Sequence, residues 1–228
     1  MNANTKSHIL FISGPSGAGK SAFIRQLRTK TLPSSIAENL PSEAADWATV
    51  EANDITKGDL DAPSVIARMQ AGECLIIHYD IVFIHCRHKN PSYPADLALD
   101  FLSHAEKIHS VFIRPEPEVL QKQFAARSAQ ILQRKSRGSR IWTTLIRTPM
   151  RQLRALIKPK KTSTTQTLYR REGFIASCYQ QWEIHLKSIA ASQSVASNMI
   201  IEPAPNSSAQ ESFQQVSLHT SPSTNSLS

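Results

Sequence analysis

The sequence predicts an α/β fold in which helices cover both faces of a doubly wound parallel sheet, giving three layers. Short apolar runs alternate with amphipathic stretches along the chain, and a glycine-rich turn follows the first apolar run. The length of 228 residues suits one domain of this class. We therefore expect a single domain over residues 1–202, followed by a tail over residues 203–228.

The first strand is predicted over His8 to Ser13, and a helix is predicted to begin near Lys20. The run between them reads Gly14-Pro15-Ser16-Gly17-Ala18-Gly19-Lys20-Ser21. Glycines allow successive backbone N–H groups to converge on an anion, where a side chain would collide with it. Lys20 would bring a positive charge to the terminal phosphates, and the Ser21 hydroxyl would ligate the accompanying magnesium ion. All eight residues of the loop are therefore predicted to bind the phosphates of a nucleoside triphosphate.

The next two strands each lead to a carboxylate. A linker over residues 31–46 precedes a short strand, Trp47 to Glu51, and a helix follows it that starts near Pro63 and stops at Gly72. The third strand begins with the apolar run from Cys74 to Ile77 and closes at Asp80. Its continuous apolar character is typical of a strand buried on both faces.

Asp80 and Asp54 are the candidate acidic residues of the site. Asp80 ends the third strand, where a phosphate-loop protein holds magnesium directly or through water, although strands also end in aspartate for turn chemistry. Asp54 follows the second strand, where a carboxylate can bind the phosphate acceptor or accept the proton of its hydroxyl group. An ordinary turn aspartate is the alternative for Asp54.

The remaining elements continue the alternation of helices and strands. We predict a helix from Pro94 to His109, a strand from Ser110 to Arg114, a helix from Pro117, a helix from Leu168 to Ile189 and a strand from Met199 to Glu202. Arg127 lies on the apolar face of the helix from Pro117. It is predicted to clamp the transferring phosphoryl group, the alternative being an arginine whose stem covers the core while its head reaches water.

The net charge of +8 is concentrated in one part of the chain. Residues 119–171 hold 14 lysines and arginines and no acidic residue. Within this stretch we predict a basic helical lid or insertion at about residues 134–165, with Pro149 near the start of an amphipathic helix. Its cationic face over residues 134–161 would meet a nucleotide, a nucleic acid or an anionic membrane, or would simply be solvated.

Composition disfavours several other classes of protein and site. No apolar stretch is long enough to span a membrane, and the three cysteines suit reduced thiols, so a cytoplasmic protein is expected. Four residues are of types that can ligate a metal ion: His78, His85, Cys86 and His88. No second Cys/His pair at structural-zinc spacing accompanies them, which disfavours a zinc site. The Ser-rich tail is predicted to be disordered.

The first strand and its loop, from Ile9 to Ser21, resemble those of P-loop kinases, and the loop itself is similar to that of guanylate kinases. The strand ending at Arg114, the segment Pro115 to Leu120 and the in-helix Arg127 resemble the approach to the lid in nucleoside and nucleotide kinases. This resemblance implies a three-layer sheet of the P-loop kinase type and ATP with Mg²⁺ as the nucleotide. It also implies that Arg127 and neighbouring lid cations stabilise the transferring group. The run of tyrosine, serine and arginine side chains with which guanylate kinases hold GMP is not found.

The function predicted from the sequence is transfer of the γ-phosphate of ATP to a small metabolite or nucleotide. Lys20, Arg127 and Asp54 are the predicted catalytic residues, and Ser21 with Asp80 would hold the metal ion. The alternative is a nucleotide-dependent NTPase or regulator that contacts nucleic acid or an anionic membrane through residues 134–161. A degenerate phosphate-loop scaffold without nucleotide binding is a third reading.

Overall fold

Six strands form one sheet in the computed structural model, which describes residues 7–52, 54, 60–82, 102, 104–123, 171–192, 195–203 and 216–221. The strands are β1 (His8–Gly14), β2 (Ala48–Glu51), β3 (Leu75–Asp80), β4 (Lys107–Ile113), β5 (Val195–Pro203) and β6 (Val216–Ser221). The helices are α1 (Lys20–Arg28), α2 (Ser34–Ala37), α3 (Ala62–Gln70) and α4 (Phe174–Ser192), with a 3₁₀ helix at Ser42–Asp46. Residues 117–123 are also helical.

The strand order is β2-β3-β1-β4-β5-β6. The first five strands in this order run parallel, and β6 pairs antiparallel with β5. The chain leaves β1 towards one side of the sheet and leaves β4 towards the other, although β1 and β4 are neighbours. In a doubly wound sheet, ligands bind outside the carboxyl ends of the strands at such a reversal. The predicted α/β class is thus confirmed, and the centre of its carboxyl edge is the loop after β1.

Helices cover both faces of the sheet because side chains alternate along each strand. On one face, Leu10 and Ile12 of β1 pack in a buried cluster with Phe23 and Leu27 of α1. On the other face, Phe11 stacks against Trp182 of α4 with ring centroids 5.9 Å apart. The side chain of Trp182 is wholly buried. This arrangement gives the three layers that the apolar strands require.

The chain divides into two compact units. Residues 1–116 and 176–228 form the first unit, which contains the whole sheet, and residues 117–175 form the second. The insertion predicted at residues 134–165 falls within the second unit, in a part of the chain outside the described residues. No helix among the described residues combines the length and the apolar character needed to cross a membrane.

Three sequence-based predictions of secondary structure need correction. The predicted linker over residues 31–46 contains α2 and the 3₁₀ helix, which bury Ile36 and Ala44. The helix predicted to end at His109 stops earlier, because Lys107 to His109 already pair with β1. The tail over 203–228 was predicted to be disordered, yet Val216–Ser221 is a strand. Val216, Leu218 and Thr220 alternate with polar residues as in a strand, a pattern that the high serine content conceals.

Candidate functional site

The glycine-rich run forms a tight loop between β1 and α1. Gly14 is the last residue of β1, and a Cβ atom there would lie 2.6 Å from the carbonyl oxygen of Ile113 in β4. The Ala18 N–H donates to the Pro15 carbonyl oxygen at 3.1 Å, which closes the turn. Gly19, at φ 100°, adopts the left-handed conformation immediately before α1. Glycine is needed at both positions, for close approach at the first and for the backbone angle at the second.

Lys20 is a buried cation at the first position of α1. Its side chain is only 4% exposed. The Nζ atom donates to the carbonyl oxygens of Gly14 and Pro15, each at 2.8 Å. A buried ammonium group is costly unless it is hydrogen-bonded, and the loop supplies these acceptors from its own backbone. The positive charge is therefore held inside the curve of the loop.

Asp80 meets the loop from the neighbouring strand. It is the last residue of β3 and lies in register with Gly14. The Ser16 hydroxyl donates to Asp80 Oδ2, and the Val82 N–H donates to Asp80 Oδ1 at 3.1 Å. The Ile81 N–H donates to the Gly14 carbonyl oxygen at 3.2 Å. These bonds join the ends of β1 and β3, so a buried carboxylate and a buried ammonium group lie at one edge of the sheet.

The other predicted site residues are less closely joined to the loop. Ser21 is the second residue of α1 and is exposed. Asp54 is half-buried and lies three residues beyond β2, and its carbonyl oxygen accepts a hydrogen bond from the Leu60 N–H at 3.2 Å. Because β3 lies between β2 and β1, Asp54 is at the same edge of the sheet but two strands away. Arg127 and residues 134–161 lie outside the described residues.

A histidine–glutamate pair that the sequence did not predict lies on β2 and β3, in the part of the sheet where Asp54 lies. Glu51 ends β2 in register with His78 of β3, and Glu51 Oε2 lies 2.5 Å from His78 Nδ1. His78 is on the same face of β3 as Asp80, since the two residues are two positions apart along the strand. The sequence feature that could have indicated this pair is that β2, like β3, ends with a carboxylate residue.

The metal site considered for His78 and its neighbours lies mostly outside the described residues. Among the described residues, no group of three or more histidine, cysteine, aspartate or glutamate side chains could hold a metal ion. His85, Cys86 and His88 are the neighbours that lie outside them.

Arg114 follows β4 at the same edge and is neutralised by two carboxylates. Its guanidinium group donates to Glu202 of β5, with Nε 2.9 Å from Oε1, and to Glu183 of α4. Burial lowers the pKa of Arg114, but the hydrogen bonds and charges of Glu202 and Glu183 outweigh it and raise the pKa overall. Arg114 thus joins β5 and α4 to the end of β4, a role that the sequence did not indicate.

Aromatic residues of α4 support the end of β1 from the opposite face. The Trp182 indole N–H donates to Ser13 Oγ at 3.0 Å, one residue before the loop begins. Ser13 in turn donates to the Val111 carbonyl oxygen at 3.3 Å. The Tyr179 hydroxyl donates to the Pro115 carbonyl oxygen at 2.7 Å, and burial raises the pKa of Tyr179 well above its ordinary value. The backbone that leads into the loop is therefore held on both faces of the sheet.

Comparisons with known proteins provide little further information on this site. No family model matches the chain, and no curated protein matches it. Among solved structures, the chain is similar to a putative kinase from Chloroflexus aurantiacus J-10-fl, with 13% sequence identity and a TM-score of 0.36. That match covers 82% of this chain and 99% of the other. At this TM-score the likeness has no bearing on the function, which is inferred from the site alone.

Proposed function

We propose that the chain binds ATP with magnesium at the loop from Gly14 to Ser21 and transfers the γ-phosphoryl group to a small molecule. The observation that carries the proposal is the meeting of this loop, a buried Lys20 and a buried Asp80 at the carboxyl end of the central strand β1. A structural turn would need neither an enclosed ammonium group nor a carboxylate on the adjacent strand.

The residues at this edge fit a triphosphate with its metal ion. The loop leads directly into the amino end of α1, where the helix dipole favours an anion. The Asp80 carboxylate and the hydroxyls of Ser16 and Ser21 are hard oxygen ligands of the kind that Mg²⁺ prefers. When bound, the metal ion would neutralise negative charge on the phosphate oxygens.

Phosphoryl transfer requires mainly positioning and positive charge from the protein. Lys20 would supply charge to the terminal phosphates from a position already restrained by two loop carbonyls. The hydrogen bond from the Ser16 hydroxyl to Asp80 and the one from the Ile81 N–H to the Gly14 carbonyl oxygen would hold the loop in place while the group moves. Arg127 would stabilise the transferring group, as proposed from the sequence.

The acceptor would lie beyond β2 and β3, where Glu51, His78 and Asp54 provide polar groups. Carboxylates and an imidazole can hydrogen-bond the hydroxyl groups of a small metabolite. The acceptor would be a small metabolite or a nucleotide, and Asp54 remains the proposed residue for binding it or accepting its proton.

Isothermal titration calorimetry with MgATP tests the binding step. We expect Lys20→Ala to weaken binding by at least about tenfold, the effect of losing about 1.4 kcal/mol from a charged hydrogen bond. Lys187→Ala, at an exposed lysine of α4, is the matched control and should bind as the wild type does. Undiminished binding by Lys20→Ala would refute the proposal.

The metal and transfer steps have separate readouts. Asp80→Asn should bind ATP in EDTA as the wild type does, but should lose the gain in affinity that magnesium brings. ADP release should be measured with a panel of sugars, polyols, nucleosides and nucleoside monophosphates. ADP release that no compound accelerates above the rate of hydrolysis would refute phosphoryl transfer.

A further inference from the structure

A second cleft lies at the amino edge of the sheet, at the end of β1 remote from the phosphate loop. Its volume is about 450 Å³, within the range of about 300–1,000 Å³ that small-molecule sites occupy. One wall comes from the starts of β1, β4 and β5, and the other from the segment between α2 and the 3₁₀ helix. The polar side chains that line it and matter to the argument are His8, Lys107, His109, Ser197, Glu38 and Glu43.

The wall formed by the strands carries several basic side chains. His8 is in register with Lys107, and Ser197 is in register with His109, so these four side chains lie on one face of the sheet. The His8 and His109 rings are 6.3 Å apart, and His109 Nδ1 lies 3.0 Å from Ser197 Oγ. Burial lowers the pKa of His109, and the positive charges of His8 and Lys107 lower it further. This wall therefore combines the ammonium group of Lys107 with the imidazole groups of His8 and His109.

The facing wall carries carboxylates. Glu38 caps the end of α2, and Glu43 lies in the first turn of the 3₁₀ helix. Its own backbone N–H and the Ser42 hydroxyl hold the pKa of Glu43 below the ordinary value, with smaller contributions from His8 and His109. Within the described ranges no ion pair of 4 Å or less joins the two walls. The Lys107 ammonium group and the two carboxylates thus line one cleft without forming a direct ion pair.

We propose that this cleft binds a small zwitterion of the α-amino-acid type. Its carboxylate would lie against Lys107 and His8, and its ammonium group against Glu43 and Glu38. Each wall alone would attract a simple ion, but only a ligand with both charges satisfies both walls at once. Leu40 and Pro41, which also line the cleft, offer apolar surface to the rest of the ligand. The site does not involve the phosphate loop and stands independently of the proposed function.

The test uses the full chain and begins with thermal shifts in the presence of each of the common L-amino acids at millimolar concentration. Calorimetry then compares the amino acid that binds best with its decarboxylated amine and its deaminated acid. We expect the zwitterion to bind at least tenfold more tightly than either analogue. Failure of every amino acid to bind would overturn the proposal, and so would a deaminated acid that binds as tightly as the zwitterion.

Variants locate the site. Lys107→Gln and Glu43→Gln should each weaken binding by about tenfold, as expected for the loss of one charged hydrogen bond. Lys187→Gln and Glu116→Gln remove exposed charges elsewhere in the first unit and should have no effect, and Lys20→Ala should also bind normally. Unchanged affinity in Glu43→Gln would show a simple anion site and would overturn the zwitterion proposal. Unchanged affinity in both cleft variants would place the ligand elsewhere.

Discussion

Gly14→Ala tests how closely β1 and β4 approach each other at the start of the loop. The new Cβ atom would lie 2.6 Å from the Ile113 carbonyl oxygen and 3.3 Å from the Cβ atom of Ala18. The first of these distances is well inside van der Waals contact, and the oxygen belongs to the backbone of a central strand, so it cannot simply rotate away. The φ angle of 155° at Gly14 is also one that alanine rarely adopts.

Two contributions set the size of the effect. Forcing a residue with a side chain into an unusual backbone conformation costs about 1–3 kcal/mol, and overpacking a well-packed site costs about as much again. We therefore expect the free energy of unfolding to fall by about 2–6 kcal/mol, which lowers Tm by about 4–24 °C for a chain of this size. Displacement of the loop should also weaken MgATP binding.

The matched control is Gly173→Ala. Gly173 has φ 70°, and no heavy atom lies within 4 Å of a Cβ atom built there. This variant carries the backbone strain alone, about 1 kcal/mol. Scanning calorimetry and ATP titration of both variants separate strain from collision. Equal destabilisation by the two substitutions, or normal ATP binding by Gly14→Ala, would show that the close approach of β1 and β4 is unimportant.

Three further predictions concern residues around the sheet. Trp182→Phe removes the indole donor to Ser13 and leaves a small void, so urea denaturation should show a loss of about 2–3 kcal/mol in unfolding free energy; a loss below about 0.5 kcal/mol would contradict the packing described. Burial, followed by neighbouring positive charges, lowers the pKa of His109 below 6.5. The unfolded chain then binds the proton more readily, so stability should fall as pH drops below about 6.5, and His109→Gln should reduce this slope in urea midpoints measured across that range. Glu202→Gln removes one carboxylate from the partly buried Arg114; its expected cost of about 1 kcal/mol should shrink in high salt, and an effect independent of salt would argue against the ion pair.

The sequence predicted the parts of the fold that depend on neighbouring residues. The apolar run of β1, the loop and the start of α1 are adjacent in the chain, and their spacing alone specifies a strand, a turn and a helix. The position of Asp80 at the end of β3 was predicted in the same way, because it follows a continuous apolar run typical of a buried strand. The predicted starts of β4 and α4 were less accurate. The apolar spacing near Lys107 and Gly173 suits a helix as well as a strand or a turn.

Pairings between distant strands were beyond the reach of sequence spacing. Glu51 meets His78, and His8 lies beside Lys107, only because the strand order and register bring them together. The sequence predicted only that Arg114 ends a strand. In the structure its charge is neutralised by Glu183 and Glu202, which lie 69 and 88 positions away in the chain. The predictions for Arg127 and for residues 134–161 concern a part of the chain outside the described residues and remain predictions.

The strand β6 has a practical consequence for handling the protein. It pairs along the outer side of β5, from Pro203 opposite Val216 to Asn198 opposite Ser221. A chain shortened after Pro203 would lose only a serine-rich segment by composition, but it would uncover the backbone N–H and C=O groups of β5 that pair with β6, from Asn198 to Pro203. Uncovered rows of this kind template pairing with other chains. β6 therefore keeps this stretch of β5 from acting as such a template.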